Sequence, residues 1–384
     1  VDFELSSEQR MIRDLAKNFA QREIVPAAAR YDHEQTFPHD IYQKAREVGL
    51  LNLTIPTQYG GGGLGVLDLA LVTEQLAWGC TGIGGAIGLN AVASDAVLVA
   101  GTEAQKREYL GRLTRGELGC YAATEPGAGS DVAGLQTRAV ARGDEFVLSG
   151  TKIWISNATE ASFAVVFAKT DPAAGHKGIS TFLVDFNRPG ISVGRKLEKL
   201  GQRASPAAEV HLEEVVVPRS ALLGELGAGF LVAMRVFDRS RPMIAASAVG
   251  LTQRCLDEAL KYALQRRTMG RPIIEHQAIG HKLADMAIRV EAARLLVHEA
   301  SWLLDRGLRN TTQAAFAKAF AADTATWAAS EAVQVFGGMG YSTEFPVEKL
   351  YRDAKVLQIY EGTSEIQRNI IVRELSQAAA GRLK

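Results

Sequence analysis

Cysteine is scarce in this 384-residue chain, and neither sign of charge is in surplus. The three cysteines, Cys80, Cys120 and Cys255, are far apart, odd in number and without CxxC or Cys/His ligand spacing. That argues against a disulfide framework and against zinc, and points to a reducing compartment. Basic and acidic residues number 43 each, so nothing suits a polyanion such as nucleic acid or an anionic membrane surface, and any anion must be bound locally. No run of eighteen or more uninterrupted apolar residues occurs, and Val1-Asp2-Phe3-Glu4-Leu5 does not resemble a signal peptide; opening on Val rather than Met leaves room for a removed presequence. Internal repeats and low-complexity linkers are missing too, so the domains are expected to pack firmly together. What is present is a 47% hydrophobic composition, enough for a sizeable core in two or three domains.

The pattern runs helices, strands, helices. Ser6 and Ser7 offer N-caps to a helix whose apolar residues recur at helical spacing to Ile24, ahead of Pro26, and helical patterns dominate to about residue 117, with segments at Pro38 to Gly49, Leu67 to Gly79 and Thr102 to Arg115. The run Gly60-Gly61-Gly62-Gly63-Leu64-Gly65 has neither a following Lys-Ser/Thr nor a GxGxxG frame opening a strand-helix unit, so it reads as a turn and not a phosphate loop. From about Tyr121 the period changes to two. Thr137 to Ala141, Glu145 to Leu148, Lys152 to Ile155, Phe163 to Lys169, Ser180 to Phe186 and Glu209 to Val217 read as strands, with turns at Gly143-Asp144, Ser149-Gly150 and Pro189-Gly190. Short strands without intervening helices suggest a small barrel or sandwich. After Gly229 the helical period returns at Phe230 to Leu264, Gln277 to Asp305, Thr312 to Phe336 and Glu365 to Ala378, long enough for a bundle.

The stretch with most chemical promise is Ile359-Tyr360-Glu361-Gly362-Thr363-Ser364-Glu365. Gly362 lets a ligand approach the backbone, Thr363 and Ser364 can cap the following helix, and a carboxylate beside a helix N-terminus pairs a proton acceptor with free N–H groups. The same four residues also compose an ordinary surface turn. Tyr121-Ala122-Ala123-Thr124-Glu125-Pro126-Gly127-Ala128-Gly129-Ser130 can present N–H groups and hydroxyls to a heteroaromatic ring or a phosphate, or be a plain turn. Period-two alternation places Trp154 and Ser156 on one strand face, a flat apolar surface beside a hydroxyl that suits a flavin; a buried Trp at a strand end is the plainer reading. Phe237-Asp238-Arg239-Ser240-Arg241-Pro242 is a polar cluster within an apolar helix that Pro242 could bend, and its charges need partners. Arg266-Arg267-Thr268-Met269-Gly270 and His276-Gln277 concentrate basic and amide groups at a corner fit for a pyrophosphate. Gln334-Val335-Phe336-Gly337-Gly338-Met339-Gly340 closes a helix with glycines, as a C-cap or a cofactor approach.

Together and in this order, these motifs resemble the acyl-CoA dehydrogenase family over essentially the whole chain, nearest its medium-chain branch. The resemblance implies an α+β fold: an N-terminal helical domain (1–117), a middle β-barrel (118–226) and a C-terminal four-helix bundle (227–384), in a homotetramer with non-covalent FAD. It implies dehydrogenation of a saturated acyl-CoA to the trans-2-enoyl-CoA, in fatty-acid β-oxidation or related catabolism, with electron-transfer flavoprotein as acceptor. Glu361 matches the base that takes the α-proton while the β-hydrogen leaves as hydride to the flavin; the Glu361 N–H and a ribityl hydroxyl are implied to hold the thioester oxygen. Tyr121, Thr124, Gly129, Ser130, Trp154 and Ser156 match positions around the isoalloxazine. Arg266, Thr268 and Gln277, with Gln334 and Gly338 of a neighbouring subunit, match the pyrophosphate and adenosine site, and Thr363 and Glu365 lie along FAD. Ser130, Asp238, Arg241, Gly362 and Arg373 match substrate positions. No nucleic-acid or membrane partner and no metal are expected, and the location is cytoplasmic for a bacterial protein or the mitochondrial matrix for a eukaryotic one.

Within the family, isovaleryl and long-chain branches take the base from the helix of Phe237 to Pro242, where this chain has Ser240. Near Ile87-Gly88-Leu89-Asn90, where medium-chain relatives can carry a bulkier acidic residue at the pocket floor, it has Gly88, which suggests a deeper pocket. An acyl-CoA oxidase is disfavoured by length, a flavin monooxygenase by the presence of Glu361, and a non-catalytic CoA-binding assembly by the full set of flavin positions.

Overall fold

The computed structural model describes residues 4–382. Its first part is helical: Ser7–Phe19, Val25–Glu34, His39–Glu47, Val66–Gly79, Thr81–Gly88 and Asn90–Ala100, then short helical turns over 103–114. Ser6 caps the first helix reciprocally, its hydroxyl accepting from the Gln9 N–H at 3.1 Å while the Gln9 side chain accepts from the Ser6 N–H at 3.0 Å. The expected stop before Pro26 is corrected. A π-helical turn, Ala20–Ile24, leads straight into Val25–Glu34, and Pro26 sits in the first turn of that helix, where a missing N–H costs little.

The glycine loop is a packing device. Leu64 and Gly63 N–H groups fold back onto the Leu53 and Ile55 carbonyls at 2.8 and 2.9 Å, and a Cβ on Gly62 would come within 2.9 Å of the Leu53 carbonyl oxygen. The helix it leads into already has an anion at its N-terminus, because Asp305 accepts from Val66 and Leu67 N–H at 2.6 and 2.9 Å. Thr81–Ala100 is apolar and long enough to cross a membrane by composition, but it is divided at Leu89 into two helices, and Ile83, Ala86, Val92, Ala93, Ala96 and Val97 are core residues.

The middle of the chain contributes β1 (Gly119–Ala122), β2 (Arg138–Arg142), β3 (Glu145–Ser156), β4 (Phe163–Lys169), β5 (Ile179–Asp185), β6 (Ile191–Lys196), β7 (Ala207–Pro218) and β8 (Leu222–Leu223). They form one sheet ordered β6-β7-β3-β2-β4-β5-β8, with β1 parallel to β4. The edges β6 and β8 do not pair, so the expected closed barrel is corrected to an open sheet. Neither edge is suited to closure: β8 has two residues, and β6 loses register against β7 between Val193 and Lys196. Ser149-Gly150 is likewise a register irregularity inside a continuous β3 and not a turn.

β4 ties the layers together because both its faces are buried. Ala164, Val166 and Ala168 pack inside the sheet with Phe146, Phe182 and Val215, while Phe163, Val165 and Phe167 join the helical core with Tyr109, Val92 and Val236. The C-terminal part holds four long helices, Gly229–Gln265, Gln277–Asp305, Thr311–Phe336 and Ser364–Arg382. The first packs on the next two and on the N-terminal Val66–Gly79. Gly250 permits that last approach, since a Cβ there would overlap the Glu74 carbonyl.

Candidate active site

Glu361 and Gly362 both take left-handed conformations, at φ 57° and 88°. The cost of that conformation for a non-glycine residue, about 1–3 kcal/mol, is offset by what holds the turn. Thr363 caps the helix behind it, its hydroxyl accepting from the Ile366 N–H at 3.2 Å. Fully buried Gln367 donates to the Glu361 and Gly362 carbonyls at 3.2 and 2.9 Å. From the helix Thr311–Phe336, fully buried Lys318 donates to the same Gly362 carbonyl at 2.6 Å. With both carbonyls fixed, the N–H of Glu361 is left without an acceptor among the described residues.

The carboxylate itself is partly buried, and burial pushes its pKa above the ordinary range. Opposing this are the Ser240 hydroxyl, which donates to its Oε2 at 2.5 Å, and the positive charges of Arg241 and Lys318. Ser240 reaches it because Phe237 to Pro242 lies within the helix Gly229–Gln265 and faces the turn. The charges of that cluster have the partners they require. Arg239 meets buried Asp95 at 2.7 Å, and Arg241 meets Asp238 at 3.2 Å. Pro242 has no N–H for the Asp238 carbonyl four residues earlier. Asn310 supplies the donor instead, at 3.0 Å, and Thr311 donates to the Asp238 carboxylate at 2.8 Å. The buried Nε of Arg241 and the buried hydroxyl of Tyr121 have no partner among the described residues.

Tyr121 lies on β1 and feels the negative charge of Glu361. The loop after it is held from below by a buried ion pair: Lys152 donates to Glu125 at 2.7 Å and to the Ala123 carbonyl at 3.2 Å, and Glu125 also accepts from the Thr137 N–H at 3.0 Å. That leaves Gly129 and Ser130 exposed and Thr124 partly so. Trp154 departs from the expected alternation. The β3 register against β7 shifts between Lys152 and Ile155, Trp154 adopts φ 61°, and its indole is 55% exposed. The bulge, not period two, presents the ring, and Ser156 is partly buried beyond it.

A flat exposed indole at a strained backbone position, an orphaned Tyr121 hydroxyl and glycines at 127 and 129 with open space around them fit a bound isoalloxazine. The other expected cofactor residues stand apart from this centre. Arg266, Thr268 and Gln277 are exposed around the short ribbon Arg267–Thr268 and Arg271–Pro272, where Thr268 and His276 share a 2.9 Å hydrogen bond. Gln334 and Gly338 are exposed at the end of Thr311–Phe336, and none of these five bonds to the Glu361 turn. Glu365 is exposed in the first turn of Ser364–Arg382, and Arg373, also exposed, donates to Glu374 at 3.2 Å. Lys318, Asp95, Lys152 and Asn310 belong to the site's architecture and were not among the expected residues. A lone lysine in the alanine-rich stretch Ala314 to Ala322 was the available signal for the first.

Models of the three acyl-CoA dehydrogenase domains match in chain order: the N-terminal domain at 6–117, the middle domain at 120–215 and the C-terminal domain at 227–376. The mitochondrial short-chain specific acyl-CoA dehydrogenases of rat and human are each 43% identical over 374 residues, 97% of this chain and 91% of theirs. Among solved structures, butyryl-CoA dehydrogenase from Megasphaera elsdenii superposes with TM-score 0.95 at 37% identity, covering 98% of this chain and 100% of that one. A glutaryl-coenzyme A dehydrogenase in complex with glutaryl-CoA gives 0.95 at 38%, covering 98% and 97%. A chain from the structure described as the electron transferring flavoprotein of Acidaminococcus fermentans gives 0.95 at 39%, covering 98% and 99%. These relatives bear short-chain, butyryl-CoA and glutaryl-CoA names, where the expectation named the medium-chain branch. The chain belongs to the acyl-CoA dehydrogenase family, whose members are FAD-dependent oxidoreductases.

Proposed function

We propose that this protein converts a saturated acyl-CoA to the trans-2-enoyl-CoA in fatty-acid β-oxidation or related acyl-CoA catabolism, with Glu361 as the base. The observation that carries this reading is the Glu361 turn, which offers a carboxylate of raised pKa and an unpaired backbone N–H from the same residue. The carboxylate takes the proton from Cα while the N–H and its neighbours stabilise negative charge growing on the thioester oxygen, so base and oxyanion site act together. FAD, bound without a covalent link, supplies the acceptor for the hydride that leaves Cβ as the double bond forms. Trp154, Ser156, Tyr121, Thr124, Gly129 and Ser130 hold its ring. Arg266, Thr268 and Gln277, with Gln334 and Gly338 from a neighbouring subunit of a homotetramer, take its pyrophosphate and adenosine, and Thr363 and Glu365 flank it.

On the substrate side, Ser130, Asp238, Arg241, Gly362 and Arg373 line the thioester and CoA. The orphaned Nε of Arg241 supports its place there. The C-terminal helices act as a four-helix bundle that fixes these groups relative to the turn. Electron-transfer flavoprotein is the proposed acceptor, in the mitochondrial matrix or the bacterial cytoplasm according to source. Glu361→Gln tests the reading, because the amide keeps the shape of the base but cannot take the proton. Anaerobic flavin reduction by acyl-CoA should slow by about a hundredfold or more, with affinity for a non-oxidisable acyl-CoA little changed. Reduction at the unmodified rate would reject Glu361 as base.

A further inference from the structure

We propose that Lys318 is a positioning residue for Glu361: its ammonium, beneath the turn, pins the Gly362 carbonyl and adds, beside Arg241, a positive charge that favours the ionised Glu361 carboxylate between turnovers. The inference rests on the reading of Glu361 as the base and adds a residue that governs it. Lys318 is fully buried, yet among the described residues no carboxylate lies within 4.0 Å of its Nζ, and its one hydrogen bond is to the Gly362 carbonyl at 2.6 Å. Holding a carbonyl does not require a cation, and burying an ammonium with so little compensation is unfavourable. A neutral amide does the same pinning beside it, since Gln367 donates to that oxygen at 2.9 Å. The charge is therefore the feature that needs a purpose.

The surroundings leave one candidate to balance it. The charged groups acting on Lys318 are Glu361, Arg241, Asp323 and Glu365. Asp323 is engaged by Arg368 at 2.7 Å and by Gln358 and Ser364, Glu365 is exposed at the helix start, and Arg241 is of like sign and paired with Asp238. Among the described residues no cation makes salt-bridge contact with Glu361, whose carboxylate is bonded by the Ser240 hydroxyl. Around it are Ser240, Arg241, Lys318, the Asp95 carboxylate already paired with Arg239, and the phenols of Tyr121 and Tyr360. A cation behind the turn, not in contact with the carboxylate, favours the ionised base without competing for the oxygen that must receive the proton. It also favours release of that proton once the reaction is over.

Lys318→Gln retains a donor for the carbonyl and removes the charge, while Lys318→Met removes both. In each, the acid limb of the anaerobic flavin-reduction rate should move to higher pH by about one unit, because losing a nearby cation raises a carboxyl pKa. The second readout needs no turnover. In infrared difference spectra against Glu361→Gln, the protonated-carboxyl C=O band of Glu361 should persist to correspondingly higher pH in the Lys318→Gln protein. A limb and band in Lys318→Gln at the unmodified pH would overturn the proposal, leaving Lys318 a hydrogen-bond donor alone, and this holds even where Lys318→Met fails to fold. The two readings fail separately. Glu361→Gln with full activity would reject the base, whereas the infrared titration still reports whether Lys318 governs that carboxyl.

Discussion

Removing Lys152 tests whether the loop expected to face the flavin is held by its buried ion pair. Lys152 is fully buried and Glu125 is 6% exposed, so neither charge can turn to water if the other is lost. Breaking such a pair by deleting one partner costs about 3–5 kcal/mol. In Lys152→Met the Glu125 carboxylate still accepts from the Gln136 and Thr137 N–H groups, which places the loss at the lower end, about 3 kcal/mol. Glu125→Met is worse. It leaves the ammonium only the Ala123 carbonyl and also strands both N–H groups, each worth about 1–3 kcal/mol when orphaned, for a total above about 5 kcal/mol. With an unfolding entropy of about 2.1 cal/mol/K per residue, a cooperative unit of 384 residues shifts by about 1 °C per kcal/mol, so Lys152→Met should lower the thermal midpoint by about 4 °C and Glu125→Met by more. Scanning calorimetry of the FAD-saturated proteins at one scan rate checks the order. If Glu125→Met proves as stable as Lys152→Met, the backbone N–H groups contribute nothing through the carboxylate and the reasoning fails.

Ser240→Ala removes the hydroxyl that donates to the Glu361 carboxylate, a hydrogen bond strengthened by the charge of its acceptor. Since that bond lowers the Glu361 pKa, its loss raises it, and the acid limb of flavin reduction should move to higher pH; an unmoved limb would show that the 2.5 Å contact does not persist in the working enzyme. If Gln334 and Gly338 complete a neighbour's cofactor site, dilution to monomers should release FAD, and sedimenting monomers with stoichiometric flavin would contradict it.

Elements governed by local pattern were legible from the sequence. The helix Gly229–Gln265 lies within one residue of the expected ends, Gln277–Asp305 and β4 coincide with theirs, and the Gly143-Asp144 hairpin joins β2 to β3 as read. The misreadings share a cause. Whether a sheet closes depends on its edges, and nothing in the composition of β6 reveals that it loses register against β7. Proline in a helix interior is costly, which makes Pro26 read as a stop, yet the π turn Ala20–Ile24 before it places Pro26 in the first turn of Val25–Glu34, where its missing N–H is no loss. At Trp154 the bulge overrides period two, so the ring emerges for a reason that alternation cannot supply.

The same division between local and non-local holds within the site. Glu361 was visible because its turn, its glycine and its cap are contiguous, and those are the features that set its left-handed conformation. The groups that decide what its carboxylate can do come from elsewhere: Ser240 is 121 positions away, and Lys318 lies 44 positions from the carbonyl it holds. The packing of Gly229–Gln265 against Thr311–Phe336 brings them under one turn, and the second of these helices carries small, fully buried side chains such as Ala314, Ala317 and Ala321. The alanine-rich face therefore does more than let helices approach. By keeping the backbone of Thr311–Phe336 close, it allows the Lys318 stem to span from that helix to the Gly362 carbonyl with its ammonium out of water. An enlarged residue at Ala314 or Ala321 would act on the base through distance, without touching it.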